Sequence, residues 1–449
     1  MKNKYNRKFL DRLSESPPLI LTLGFFILIS IGALILSTPF VTRSGNPTNP
    51  IDAIFIAASA SCVTGLSPVN TAEHWNSLGQ VVIIILIQIG GLGIMTLASI
   101  IPLILRKKIG IKTRLILKEQ LNIESMEGII RLFRYVLVFT LVVESLGALF
   151  LAIRFVPTYG LGKGIWFSIF HSISAFCNAG FDLLGDSIYP LRNDYLVNIT
   201  LMALVIIGGL GFMVTSEIYN KRHFKYLSTH SKLVLITNAG LILVGALGFF
   251  ILESLKGGVL NNESISDGVL ISFFQSVSAR TAGFYSTDLS KMNDSTALLL
   301  ISLMFIGGSP GSTAGGIKTT TFAVLILAVL SVIKNEKEPI VFKRRISNDT
   351  IKKALSIFVI SLSLLILISF VIAAIEDFAF IDILYETGSA LGTVGATRGI
   401  TDKLSDISKV LITVCMYLGR IGPMTMALSF GLKSDVRLIR YPEGFLSIG

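Results

Sequence analysis

Charge is what this 449-residue chain lacks most: Asp, Glu, Lys and Arg make up 15% of it, against 52% hydrophobic residues. A soluble domain carries about 25% charged residues. So little polar side chain cannot cover a soluble protein of this size, and a mean hydropathy of +0.73 disfavours disorder and a cytosolic enzyme alike. Cysteine is scarce too. Three residues, Cys62, Cys177 and Cys415, cannot make a disulfide scaffold, and no C-x-x-C spacing supports a zinc site. Four histidines (His74, His171, His223 and His230), placed mainly in loops or at span ends, give no haem-like pair, and neither H-E-x-x-H nor a Walker A sequence occurs. What the chain has in quantity is glycine (40) and phenylalanine (29), which suits a polytopic membrane protein.

Apolar stretches long enough for a hydrocarbon layer of about 30 Å run through 18–41, 79–105, 128–153, 193–219, 232–254, 296–333, 351–375 and 405–432. These are eight spans, the sixth overlong and broken. The first is too long for a signal-peptide core and no cleavage site follows it. The net charge of +11 is distributed by side. Segments 1–17, 106–134, 221–232, 334–353 and the tail from Lys433 carry 27 Lys and Arg against 10 acids, 11 with Glu217 just before the third, whereas the alternate segments carry 10 against 16. The positive-inside rule places both termini in the cytoplasm of a cell membrane. The basic excess is thus a topology signal, and no nucleic-acid partner is expected.

The outward segments repeat. Each holds an apolar stretch too short to span and then small residues around a glycine: 51–66, 164–181, 268–284 and 380–397, with Gly65, Gly180, Gly283 and Gly395 in register. A second glycine marker follows inside the next span, beginning at Gly90, Gly208, Gly307 and Gly419. The two markers lie 25, 28, 24 and 24 residues apart, and successive repeats are offset by 115, 103 and 112. Two markers in register four times predict an all-α membrane fold of four tandem helix–pore-loop–helix repeats. The quarters are 18–105, 106–219, 220–333 and 334–432, flanked by cytoplasmic termini 1–17 and 433–449. Non-helical backbone at membrane depth must be satisfied by protein or a watered cavity, so the four loops are expected to converge on one pseudo-fourfold axis.

Glycine adopts positive φ without steric cost and can turn carbonyl oxygens toward an axis. Rings of such carbonyls replace the hydration shell of K⁺ in channels with TVGYG filters. The loops read Val63-Thr64-Gly65, Asn178-Ala179-Gly180, Thr281-Ala282-Gly283 and Thr393-Val394-Gly395. None continues to a second glycine, so the stack of sites is expected to be short.

With these four triplets in one chain, the sequence resembles the Trk/Ktr/HKT superfamily of potassium transporters over about residues 18–432, and its compact length resembles the bacterial Ktr branch. The resemblance implies K⁺ uptake through a filter built on those twelve residues, a homodimer with one pore per protomer, and a cytoplasmic ring of nucleotide-binding (RCK/KTN-type) subunits. No resident cofactor is implied. Na⁺ as an activator and Na⁺ as a coupled ion stay open.

Between Phe305 and Lys318 the third inner helix carries Gly307, Gly308, Ser309, Pro310, Gly311, Ser312, Thr313, Ala314, Gly315 and Gly316. Each helical glycine costs about 1 kcal/mol and proline about 3, so the helix should break at mid-membrane, and residues 307–316 are read as a gate loop. The matching stretch in the Ktr resemblance is the gating loop. Arg420 replaces the glycine found at 91, 209 and 308. Burying it costs roughly 2.5–3.5 kcal/mol, so it should face the pore or a carbonyl acceptor in that loop. Arg280 is expected to prop the third pore loop. Glu144 has no partner evident in the sequence.

The rival reading is a Na⁺-coupled symporter with inverted repeats. The quarters all enter from the same side and are parallel, which favours the pore. The GGLG strings at 90–93 and 208–211 lie inside spans, away from any βαβ unit, and are not a dinucleotide fingerprint.

Overall fold

The computed structural model describes residues 17–93, 129–255 and 257–422. The expected cytoplasmic termini and most of the basic 106–134 linker lie outside the described residues. One order of elements recurs. A long helix is followed by a shorter one that ends in a glycine loop, and an inner helix follows. The first quarter has α1 (Pro17–Leu36), α2 (Pro50–Ser61) and α3 (Ser77–Leu92); the second has α4 (Ile129–Tyr159), α5 (Leu161–Phe176), α6 (Tyr195–Gly209) and α7 (Phe212–Lys221). The third has α8 (Thr229–Glu253), α9 (Ile265–Ser278), α10 (Asp294–Phe305) and α11 (Thr319–Ile333); the fourth has α12 (Asn348–Ile375), α13 (Phe380–Gly392) and α14 (Asp406–Ile421).

Caps set most of the starts. Side chains of Asn49, Asn76, Asp194, Ser228, Ser264, Ser347 and Ser405 accept from the first free backbone N–H groups of α2, α3, α6, α8, α9, α12 and α14. Length separates the helix classes. Helices α1, α4, α8 and α12 are each long and apolar enough to cross a membrane, and α6 with α7 passes the same test only when the bent pair is taken together. The short helices α2, α5, α9 and α13 have 12, 16, 14 and 13 residues, about 18–24 Å at 1.5 Å per residue, and cannot cross alone.

Among the described residues one inner helix departs from expectation: residues 193–219 were expected as one span, but the chain bends by 98° between α6 and α7. Gly211, the residue before α7, has φ/ψ of 93/133°, and Gly93 and Gly422, which end α3 and α14, have 87/142° and 90/129°, a conformation open to glycine and disfavoured for L side chains.

The quarters close into a ring. Each short helix packs on its own quarter's helices and on the inner helix of the quarter before: α5 on α3, α9 on α6, α13 on α10, and α2 on α14. Polarity is inside out. Leu34, Leu149, Leu247 and Phe370 are exposed on the long helices, while Ser59, Ser61, Ser174, Ser276, Thr387 and Ser389 are buried on the short ones. An exposed apolar belt around a core holding polar groups is what lipid surroundings select. The outer rim is stapled between quarters by Asn70 to Gly185 O (3.2 Å), Tyr285 to Asp186 (2.8 Å), Arg398 to Asp294 (3.0 Å) and Lys409 to Asp52 (2.8 Å).

Candidate cation path

The four sequence-predicted triplets meet. A Cβ placed on Gly65 would lie 2.5 Å from Ala179 O; on Gly180, 2.7 Å from Ala282 O; on Gly283, 2.2 Å from Val394 O; and on Gly395, 2.1 Å from Thr64 O. Each glycine thus abuts the middle carbonyl of the next loop, and the fourth returns to the first. Backbone hand alternates within every triplet. Val63, Asn178, Thr281 and Thr393 have φ of 58°, 59°, 80° and 50°, and the glycines 101°, 70°, 75° and 96°. The middle residue of each triplet does not share the positive sign. Four neutral loops with this alternation bring backbone oxygens together where no carboxylate is present.

Each loop is tied to its own short helix. Thr64 N, Ala179 N and Val394 N donate to the carbonyls of Ser59, Ser174 and Ser389 at 2.7–2.8 Å, and Ala282 N donates to Ser278 O at 2.9 Å. Hydroxyls add to this: Ser59 and Ser389 accept from Gly65 N and Gly395 N at 3.0 Å, and Ser174 donates to Phe181 O at 2.7 Å. The C-terminal ends of α2, α5, α9 and α13 all lead into the ring, so four helix dipoles present their negative ends there, equivalent to about half a charge each.

The second marker seats the inner helices beneath. A Cβ on Gly90, Gly208 or Gly419 would overlap the carbonyl of Ser61, Phe176 or Leu391, at 1.9, 1.9 and 2.1 Å. In the third quarter the matching Gly307 instead meets Gly315 O at 2.1 Å, because the 306–318 segment folds back on itself.

That segment crosses below the ring. Ser309 N and Thr313 N donate to Gly209 O and Gly208 O at 3.1 and 3.3 Å, Phe212 N donates to Gly311 O at 2.8 Å, and Asn238 holds Ser309 Oγ at 3.0 Å. Thr313 Oγ1 lies 3.1 Å from Phe176 O and 3.2 Å from Asn178 Oδ1, and Asn178 Nδ2 donates to Thr281 Oγ1 at 3.1 Å. The segment is therefore hydrogen-bonded to the second triplet and, through Asn178, to the third. On the fourth side, Gly315 sits against Thr393 Oγ1.

Arg420 finds carbonyl acceptors, as expected, in two places. Its guanidinium donates to Thr313 O in the crossing segment and to Gly90 O and Gly91 O of α3, the last at 3.1 Å. The α3 acceptors were not foreseen. Arg280 departs from expectation: it donates to Gly307 O at 3.2 Å, reaching the crossing segment rather than the pore loop. Glu144 has partners that the sequence hid, Gln88 Nε2 at 3.3 Å and the Cys177 thiol at 3.9 Å. His171, expected at a loop or span end, is fully buried within α5. Among the described residues no group of His, Cys, Asp and Glu is arranged to hold a metal ion.

The bend at Gly211 gives a direct test. A Cβ there would strain a positive φ and lie 2.6 Å from Pro310 O, whereas nothing lies within 4 Å of one on Gly240. Such backbone strain is on the order of 1–3 kcal/mol. Gly211→Ala is expected to lower the thermal unfolding midpoint in detergent, and Gly240→Ala to preserve or raise it.

The chain matches the family described as TrkH, cation transport protein, over residues 19–437. It is 42% identical over 440 residues to the potassium/sodium uptake protein NtpJ of Enterococcus hirae, covering 97% of both chains. It is 43% identical over 434 residues to the Ktr system potassium uptake protein B of Bacillus subtilis, again covering 97% of both, and 38% identical over 441 residues to the protein of the same description from Vibrio alginolyticus, covering 98% of this chain and 96% of that one. A crystal structure of the potassium transporter TrkH from Vibrio parahaemolyticus shares the fold, with a TM-score of 0.72 at 20% identity over 92% of this chain and 84% of that one. With the family match spanning nearly its whole length, this chain belongs to the TrkH family of cation transport proteins.

Proposed function

We propose that this membrane protein takes up K⁺ through a selectivity filter formed by residues 63–65, 178–180, 281–283 and 393–395, on the pseudo-fourfold axis of its four quarters. The observation that carries the reading is the closed ring of glycines, each against the middle carbonyl of the next loop, with alternating backbone hand in all four triplets. Neutral carbonyls in a confined ring compete with water for a weakly hydrated monovalent cation. Two of the relatives reported above are potassium uptake proteins by description and one is a potassium/sodium uptake protein.

Residues 307–316 and Arg420 form the gate under the filter. The hydrogen bonds from Thr313 to Phe176 and Asn178, and from Arg420 to Thr313 O, support this, because they tie the crossing segment to filter and inner helix together. The protein works as a homodimer with both termini in the cytoplasm, under control of a cytoplasmic nucleotide-binding ring. The name "Ktr system" carried by its relatives denotes an assembly of several components and supports that partnership.

The test is uptake of radiolabelled Rb⁺ and Na⁺ into vesicles holding this chain alone, and then with a regulatory ring added. Rb⁺ should enter down its gradient, compete with K⁺ and proceed without Na⁺, and faster with the ring. An absolute Na⁺ requirement with fixed stoichiometry would instead establish symport.

A further inference from the structure

Counting back nine residues from the filter glycines gives Ile56, His171, Phe274 and Glu386, all buried on the short helices behind the loops. One of the four is an acid. Glu386 is 1% exposed and accepts through both oxygens, Oε2 from Thr397 at 2.7 Å and Oε1 from Thr401. Both carboxyl oxygens are thus held by threonine hydroxyls. Thr397 is two residues beyond Gly395, so the carboxylate lies on the order of 10 Å from the fourth filter loop.

Nearby quarters prop the same stretch with neutral groups. His171 Nε2 accepts from Leu183 N at 3.4 Å, and Gln275 donates to Ser286 Oγ at 3.3 Å. The first quarter has Ile56 and Ala57 at these places, with no polar atom to offer. The adjacent base is already committed: Arg398 pairs with Asp294 at 3.0 Å and Asp382 at 3.1 Å and donates to Met292 O at 3.2 Å. Among the described residues Glu386 has no basic partner. A buried negative charge without a counter-cation attracts the cation passing nearby, and low surrounding dielectric strengthens that attraction.

We infer that Glu386 is a positioning and affinity-setting residue of the filter, holding the stretch beyond Gly395 through Thr397 and Thr401 and, when ionised, supplying negative charge to an ion near the fourth loop. This rests on the filter reading above.

The experiment compares wild-type, Glu386→Gln, Glu386→Asp, Thr397→Val and Gly395→Ala proteins in vesicles, measuring the apparent KM and maximal rate for Rb⁺ and the Rb⁺/Na⁺ ratio. Glu386→Gln should raise KM about tenfold, the order expected for one charge at about 10 Å in an effective dielectric of about 20, with a smaller change in maximal rate. Glu386→Asp should recover most of the affinity, and Thr397→Val, which keeps the charge, should lower the Rb⁺/Na⁺ ratio more than it raises KM. If Glu386→Gln leaves KM unchanged, or Glu386→Asp is as weak as Glu386→Gln, the inference is overturned. Should Glu386→Gln fail to fold, Asp and Thr397→Val decide it, since a purely structural role predicts lost maximal rate at constant KM. An unaltered Rb⁺/Na⁺ ratio in Gly395→Ala would overturn the filter reading itself; an altered ratio there beside an unchanged KM in Glu386→Gln overturns this inference alone.

Discussion

Gly395→Ala is expected to reduce the preference for Rb⁺ over Na⁺ at least tenfold. At φ of 96° an L side chain is strained by on the order of 1–3 kcal/mol, and the added Cβ would lie 2.1 Å from Thr64 O. Real Cβ atoms do not approach so closely, so either Gly395 or the first loop must move. Thr64 O is one of the four middle carbonyls that meet the glycines, and displacing it opens the ring on one side. A wider ring no longer replaces the hydration shell of the larger ion better than that of the smaller one, and about 1.4 kcal/mol of lost discrimination is a factor of ten. Competition uptake of Rb⁺ and Na⁺ measures the ratio. Retained discrimination with reduced amounts of folded protein would mean that Gly395 serves packing only.

Arg420→Gln should act differently, raising the uptake rate about tenfold while leaving the Rb⁺/Na⁺ ratio within about twofold. The guanidinium joins Thr313 O of the crossing segment to Gly90 O and Gly91 O of α3, so it clasps the segment across the first and fourth quarters. Hydrogen bonds from a charged donor contribute about 1.5–3 kcal/mol each, and losing even one shifts a closed-to-open balance by about tenfold or more. On the proposed reading, removing the positive charge also lifts an electrostatic barrier below the ring of glycine loops. Arg420→Lys should restore closure incompletely, since an ammonium lacks the planar fork that reaches both carbonyl groups. A changed ion preference at constant rate would place Arg420 in the filter instead.

The repeat was legible because membrane depth makes backbone geometry visible in residue type. A loop that must carry positive φ shows glycine, and a helix that must seat on a carbonyl shows glycine again, so Gly65 with Gly90, and their counterparts, stand out in register. Arg420 was legible for the converse reason, since a charge at that depth requires acceptors. The bend at Gly211 was harder to read. A single glycine inside an apolar run costs a helix only about 1 kcal/mol, and nothing local separates a tolerated glycine from one at φ near 90°. What bends the chain at Gly211 is distant, the backbone around Pro310 and Gly311 packing against it. Arg280 was misassigned for a related reason. Its neighbour in sequence is the third triplet, but its acceptor, Gly307 O, belongs to a segment that returns 27 residues later. Glu144 with Gln88 and Cys177 is a partnership that forms only when helices from different parts of the chain are packed, and Glu386 with Thr397 and Thr401 is one that forms only when the loop after α13 folds back on it.

A density map of the protein in Rb⁺, set against one in Na⁺, tests the central reading most directly. A peak on the common axis within about 3 Å of the Thr64, Ala179, Ala282 and Val394 carbonyls in Rb⁺, and absent in Na⁺, is the predicted result. Rb⁺ density held by side-chain carboxylates elsewhere, with the axis between those four oxygens empty, would contradict it.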